Sequence, residues 1–335
     1  METSSFTTAL LRWFAQYGRE LPWRGISDPY GIWVSEVILQ QTRIEQGRDY
    51  WLRFMQRFPT VEALAAASED EVLRQWQGLG YYSRARNMHA AARQIVEQGG
   101  FPHTIEGLRA LKGVGDYTAA AVGSMAFGLP AAAVDGNVYR VLSRHYGIDV
   151  PINTTRGKHT FQVMAQELLP TGKASAFNQA LMDFGATWCT PKSPRCIGCP
   201  VSETCEALHT GRVKELPVKE KKSKVQQRHM TYIYIRHEGQ TALRRRPPGG
   251  IWQGLWEPLL IEDAPLPDLG CPLTRLAHNV KHVLTHRVLL ADLYLAEPST
   301  RPTLPDEYRW INEQELDNYA RPRLIEKLLE KLPEP

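Results

Sequence analysis

The sequence predicts two domains, a nearly all-helical one over residues 1–211 and a smaller mixed α/β one over residues 229–335, and three observations carry this. The chain has 335 residues, about twice the usual domain size of ~100–200 residues, so it can bury two cores. Through the first two hundred positions apolar residues recur at helical spacing, as in Leu10, Leu11, Phe14 and Tyr17; from residue 229 they alternate, as in Tyr232-Ile233-Tyr234-Ile235. Between the two patterns, Lys214, Lys219, Lys221, Lys222 and Lys224 join Arg212 and Arg228 around Pro217 with little apolar periodicity, which predicts a basic linker over 212–228.

Apolar residues make up 43% and charged residues 23% of the chain, which excludes a disordered or collagen-like protein. The longest uncharged stretch, 117–134, is built of Ala and Gly around Pro130 and does not suit a bilayer. The first residues, Met1-Glu2-Thr3-Ser4-Ser5-Phe6, lack the basic and apolar regions of a secretory signal, so a cytoplasmic protein without a membrane partner is expected. The net charge is only +4, but residues 1–228 carry +6 and residues 229–335 carry −2. That asymmetry fits a nucleic-acid partner for the helical domain, and an ordinary solvated surface equally well.

In chain order, Asp28-Pro29 supplies an N-cap and a first-turn proline for a helix through Trp33 to Gln40, with Glu36 in its second turn. Leu111-Lys112-Gly113-Val114-Gly115 follows a short helix starting near Thr104. Gly113 and Gly115 permit a tight hairpin, and a helix beginning at Asp116 or Tyr117 would point free N–H groups at an anion such as a DNA phosphate. Asp135 can cap the helix carrying Val138, Val141, Leu142 and His145. Cys189, Cys196, Cys199 and Cys205 follow at spacing C-x6-C-x2-C-x5-C, in a loop punctuated by Pro191, Pro194 and Pro200. Four thiolates suit either a tetrahedral zinc or a 4Fe-4S cluster, in a structural role because no coordination position stays open. Only Cys271 lies outside the group, and a reducing compartment disfavours disulfides. After the linker, a strand through Tyr232–Ile235, a turn at Glu238-Gly239, a strand through Thr241–Leu243 and another from Val288 to Leu295 build the second domain.

Hairpin, aspartate and cysteine spacing in this order resemble the helix-hairpin-helix DNA glycosylases of the endonuclease III superfamily. Within it, Leu21-Pro22-Trp23-Arg24, Trp33 to Thr42, Gly78 to Asn87 and Ala176 to Asp183 resemble the MutY-type adenine DNA glycosylases over almost the whole chain. The resemblance implies two helical subdomains with a DNA cleft between them, a 4Fe-4S cluster on the four cysteines, and a monomer acting at the nucleoid. Its substrate would be double-stranded DNA with adenine opposite 8-oxoguanine or guanine. It implies that Glu36 protonates the base at N7 and handles the water, while Asp135 stabilises or captures the cationic sugar. Tyr117 and Asn137 would position this site. Gln41 and Tyr81 match the residues that fill the gap left by an extruded base, and Arg19, Trp23 and Gln179 match positions around the adenine, where the Gln179 amide can both donate and accept.

Two rival readings are an endonuclease III-type enzyme acting on oxidised pyrimidines and a non-enzymatic DNA-binding module. Relatives that also nick the strand carry lysine at the Tyr117 position, and a phenol cannot form their Schiff base, so a monofunctional enzyme is expected. The pairing of Glu36 with Asp135 disfavours the module. The second domain resembles a Nudix hydrolase fold, with Gly254-Leu255-Trp256-Glu257-Pro258 near its first hairpin. Pro258, Pro265, Pro267 and Pro272 exclude the helix that would carry the Nudix metal ligands. In the family this domain reads 8-oxoguanine through a Phe-Ser-His loop, and Leu284-Thr285-His286 stands here, keeping a hydroxyl and the histidine but not the aromatic ring.

Overall fold

Several helices in the first two hundred residues begin where a polar side chain can take up the free N–H groups of the first turn. Ser4, Asp28, Thr104, Asp135 and Thr154 each accept such bonds. The computed structural model describes residues 4–40, 42–220, 226–284 and 287–334. Its helices are α1 (Ser5–Tyr17), α2 (Pro29–Leu39), α3 (Ile44–Arg57), α4 (Val61–Ala66), α5 (Glu69–Gln75), α6 (Ser83–Glu97), α7 (Ile105–Ala110), α8 (Asp116–Phe127), α9 (Gly136–Tyr146), α10 (Thr155–Glu167), α11 (Ala174–Thr187), α12 (Glu206–His209) and α13 (Arg323–Leu329). Among the described residues no helix is long and apolar enough to cross a membrane.

The chain forms two compact units, Met1–Ala65 with Ala90–Lys221, and Ala66–His89 with Lys222–Pro335. In the first, Phe6, Leu10 and Trp13 of α1 pack with Val138, Val141 and Leu142 of α9, Phe161 of α10 and Phe177, Leu181 and Phe184 of α11. Every residue of α2 from Tyr30 to Ile38 is buried, as is every residue of α8 from Thr118 to Ser124. These two helices pack on each other and are apolar nearly all round, as a helix enclosed by its unit must be. Part of the predicted linker belongs to this unit: Arg144 Nε donates to the Leu216 carbonyl at 3.1 Å, and Ile152 N donates to the Val218 carbonyl at 3.0 Å. Leu216 is also buried, so these hydrogen bonds and one apolar side chain hold the first part of a stretch that its lysines mark as solvated.

The second unit is built on a seven-stranded sheet with β1 (Gln226–His237), β2 (Gln240–Arg245), β3 (Trp256–Glu257), β4 (Leu259–Ile261), β5 (Leu273–Val283), β6 (Arg287–Ala296) and β7 (Tyr308–Asn312). The order is β3-β2-β1-β6-β5, with β4 also on β1 and β7 on β2; β1 and β6 run parallel and the other pairs antiparallel. The alternation along β1 serves two cores. Met230, Tyr232 and Tyr234 enter one with α13, while Ile233 and Ile235 enter the other. Glu238 and Gly239 both take positive φ, 47° and 71°, the geometry that a two-residue hairpin requires. No helix lies between β4 and β5, where the prolines forbid one.

The sequence does not reveal that residues 66–89 pack with the sheet. Arg245 Nη2 on β2 pairs with Glu69 at 2.7 Å and with Asp70 at 3.1 Å, and Arg86 donates to the Gln253 carbonyl 167 residues away. Helical periodicity shows which face of α5 is apolar, and says nothing of which element covers it.

Candidate active site

A cavity of about 940 Å³ in the first unit is lined by Arg19, Trp23, Glu36, Tyr117, Asp135, Asn137 and Gln179. Glu36 is the eighth residue of α2, opening its third turn rather than sitting in the second. Since α2 is enclosed, Glu36 is taken almost entirely out of water, with 7% of the residue exposed. Burial pushes the Glu36 pKa up to about 7; the Tyr117 hydroxyl opposes this and Asp135 adds to it. Tyr117, in the first turn of α8, donates its hydroxyl to Glu36 Oε2 at 2.6 Å and lies 3.6 Å from Met182 Sδ. Burial beside two carboxyls holds the phenol well above its usual pKa, so it stays protonated and keeps donating. With Oε2 engaged in this way, Oε1 is the oxygen left to carry a transferable proton.

Asp135 is the N-cap of α9. Its Oδ1 accepts from Asn137 N at 2.9 Å and Val138 N at 2.8 Å, and its Oδ2 accepts from the Asn137 side chain at 2.8 Å. Burial raises its pKa, and the hydrogen bonds from Val138 and Asn137 oppose the rise without cancelling it. The position of Asn137 depends on Gly185 of α11: a Cβ there would stand 2.7 Å from Asn137 Cβ and 2.9 Å from its carbonyl oxygen. Arg140, buried on α9, donates to Asn137 Oδ1 at 2.8 Å, to the Gly185 carbonyl at 2.6 Å and to the Cys189 carbonyl at 2.8 Å. Trp23 is buried with its ring 5.7 Å from that of Trp51. Gln179 donates to Ser175 Oγ at 2.9 Å, which fixes the direction of its amide.

Arg19 serves a second purpose that sequence reasoning missed. Asp183, fully buried on α11, accepts from Arg19 Nε at 3.0 Å and N at 2.9 Å and from both Arg24 terminal nitrogens at 2.6 Å. Burial would raise the Asp183 pKa, but the bonds from Arg24 and Arg19 override it and hold the carboxylate below its usual range. Two arginines around Leu21-Pro22-Trp23 and a lone acid beside Leu181 and Phe184 were the available signal.

Gly113 has φ 77°, and Gly115 caps α8 without any side-chain hydrogen bond to its first N–H groups. Beyond the neighbouring chain nothing lies within 4 Å of where a Gly115 Cβ would be, which leaves space on that side of an uncapped helix terminus, the kind of place where an anion can bind. Asp116, in the same turn, is paired with Arg109 at 2.7 Å.

All four clustered cysteines line one small cavity together with Arg144, His145 and Trp188. Arg144 Nη1 lies 3.4 Å from Cys189 Sγ. Burial, with the negative charge of the other three thiols adding to it and a backbone hydrogen bond from Val201 opposing it, pushes the Cys199 thiol up to about 11. Four thiolates facing one cavity therefore call for a positive centre. Among the described residues no group of three or more such side chains converges tightly enough to hold one metal ion.

Tyr81 belongs to the second unit, with φ 46° and 48% of its surface exposed. Gln41, Thr285 and His286 lie outside the described residues.

The family model of HhH-GPD superfamily base excision DNA repair proteins matches residues 34–163, and that of the NUDIX domain matches residues 231–331. A human adenine DNA glycosylase is 33% identical over 402 residues, spanning 98% of this chain and 74% of its own length. The mouse adenine DNA glycosylase is 42% identical over 230 residues, 64% of this chain and 45% of its own, so the chain spans about half the length of that relative. The solved structure of a thermostable thymine-DNA glycosylase superposes with TM-score 0.57 at 31% identity, over 61% of this chain and 95% of the other. With both domain types matched and the alignment to the human protein spanning nearly the whole chain, this chain belongs to the adenine DNA glycosylase family of the HhH-GPD superfamily.

Proposed function

We propose that this chain hydrolyses the N-glycosidic bond of adenine mispaired with 8-oxoguanine or guanine in duplex DNA, and leaves the strand intact. The observation that carries the reading is the buried Glu36 carboxyl, with a pKa near 7, held by the Tyr117 hydroxyl in a cavity it shares with Asp135. Adenine leaves poorly as an anion. A proton from Glu36 Oε1 to the extruded base lets the C1′–N9 bond break with its electron pair passing to a neutral leaving group. The sugar is left as an oxocarbenium ion, and the negative charge of Asp135 stabilises it until water adds at C1′ and gives up a proton to the Glu36 carboxylate. The three donors on Asp135 favour its ionised form and fix its direction. Tyr117 supplies no amine, so no Schiff base forms and no strand is cut.

On this reading Arg19, Trp23 and Gln179 surround the extruded base, the uncapped terminus of α8 at Gly113 and Gly115 holds a backbone phosphate, and Gln41 and Tyr81 act in the duplex. Thr285 and His286 read the 8-oxoguanine. A Nudix hydrolase reading has less support, since the Glu257 carboxyl accepts from Arg244 at 3.0 Å and Tyr232 at 3.2 Å and also pairs with Arg246. Single-turnover incubation with a duplex labelled beside the adenine should release adenine opposite 8-oxoguanine, with strand breakage appearing only after alkali. Release of an oxidised pyrimidine instead, or breakage without alkali, would reject the assignment.

Cys189, Cys196, Cys199 and Cys205 would hold a 4Fe-4S cluster, which supplies the positive centre that the crowded thiolates need and ties the loop to α9 through Arg144. Purified protein should contain iron and no zinc by elemental analysis, and Cys199→Ser should yield colourless, poorly folded protein. Zinc without iron would overturn the proposal.

A further inference from the structure

The turn that presents Tyr81 is strained and anchored. Gly78, Gly80 and Tyr81 all take left-handed backbone conformations, with φ of 93°, 72° and 46°. Glycine adopts these freely, but a residue with a Cβ does not. Such strain persists only where the surroundings over-determine it. Here they do. Trp76 Nε1 donates to the Gly80 carbonyl at 3.1 Å and Arg84 Nη2 to the same oxygen at 3.4 Å. The Arg84 guanidinium lies 5.3 Å from the Trp76 ring and 5.5 Å from the Tyr81 ring, so it backs the exposed tyrosine with a buried aromatic beneath. Tyr82, only 4% exposed, accepts from Gly78 N at 3.3 Å and donates to the Arg321 carbonyl at 3.3 Å. Arg321 is itself buried and donates to the Tyr319 carbonyl at 3.2 Å and Asp317 at 3.0 Å. On the other side of the turn, Gln77 donates to Glu326 of α13.

We propose that the C-terminal domain holds Tyr81 ready to enter the base stack, and that Tyr82 and Gln77 are the positioning residues through which it does so. This rests on the glycosylase reading above, because an extruded base leaves the gap that an exposed, backed aromatic ring can fill by stacking. The buried phenol of Tyr82 is the bridge: one hydroxyl closes the Gly78 end of the turn and fastens it to the segment before α13. Loss of that hydroxyl leaves the ring packed and Tyr81 present but free to leave its strained conformation. The domain that carries the 8-oxoguanine loop would then also govern how readily the opposite adenine is extruded.

The test is a double-mutant cycle in the full chain, with Tyr82→Phe, Tyr81→Ala and the pair assayed by single-turnover excision of adenine opposite 8-oxoguanine. A 2-aminopurine beside the target reports unstacking on binding. Tyr82→Phe should slow excision by about twofold to tenfold, the range for one hydrogen bond, and reduce the 2-aminopurine signal. In the Tyr81→Ala background it should have no further effect, since both act through one ring. Gln77→Ala reaches the other anchor and should show the same non-additivity, which keeps the test intact if Tyr82→Phe folds poorly. Full additivity with Tyr81→Ala, or an unchanged 2-aminopurine signal, would overturn the inference while leaving the glycosylase reading in place. A wild-type chain that excises no adenine would instead remove the reading on which it rests.

Discussion

Glu36→Gln should bind mispaired DNA normally and excise adenine about 10²–10⁴-fold more slowly, the usual contribution of a general acid. The amide keeps the shape and can still accept from Tyr117, but it has no carboxylic proton to give. The pH dependence offers a sharper check. With the Glu36 pKa pushed up to about 7, the donor form predominates below that pH, and the chemical step should fall about tenfold per unit above it. That limb should vanish in the variant. The same shift acts on stability. Against an unfolded value near 4.5, burying the carboxyl costs nothing extra below pH ~4.5, and the cost grows through pH 7 to about 3 kcal/mol. The glutamine variant should therefore melt higher than wild type at pH 8 and lose that advantage at pH 4. Wild-type-like excision by a folded variant would reassign the proton donor.

Asp183→Ala should be the most damaging single change in the first unit. It removes a fully buried carboxylate and strands two guanidinium groups, with side-chain exposures of 28% and 17%, whose desolvation it had offset. Breaking a buried pair in this way costs roughly 3–5 kcal/mol, which lowers the melting temperature of a domain of ~200 residues by about 6–20 °C. Arg19 and Arg24 both line the active cavity, so excision should fall by more than the folded fraction does. Asp183→Asn, which keeps the volume and some acceptor capacity, should recover part of the stability. An unchanged melting temperature would show that the three-residue cluster contributes little.

The contrast between Asp183 and Asp135 shows what the sequence could yield. Asp135 acts on its own neighbours, accepting from residues two and three positions on, and so its role as an N-cap is written locally. The same holds for Asp28 ahead of Pro29, for Gly113 in its hairpin and for the strand alternation that gave the second domain its class. Asp183 takes its partners from 159 and 164 residues away, and nothing in the periodicity of α11 says that a charge on its apolar face is matched. Arg140 joins the cysteine loop and α11 through partners equally remote from its own helix. The family resemblance supplied the cavity residues one by one; how Tyr117 is bonded to Glu36, and which oxygen that leaves for the proton, comes only from the three-dimensional arrangement.

Residues 66–89 add a constraint on how the protein is made. Their partners in the second unit include Arg321, 239 positions beyond Tyr82, and Glu326, 249 positions beyond Gln77. At a synthesis rate of about 5–20 residues per second, the stretch emerges from the ribosome roughly 10–50 s before the strand and helix that cover it exist. During that interval Leu73, Trp76 and Tyr82, all buried in the finished protein, lack the rest of their unit, and the closing contacts carry the loop-closure entropy of a chain more than two hundred residues long. A nascent chain halted short of α13 should thus expose this stretch to proteases or chaperones, even while the helices around Glu36 and Asp135 are already complete.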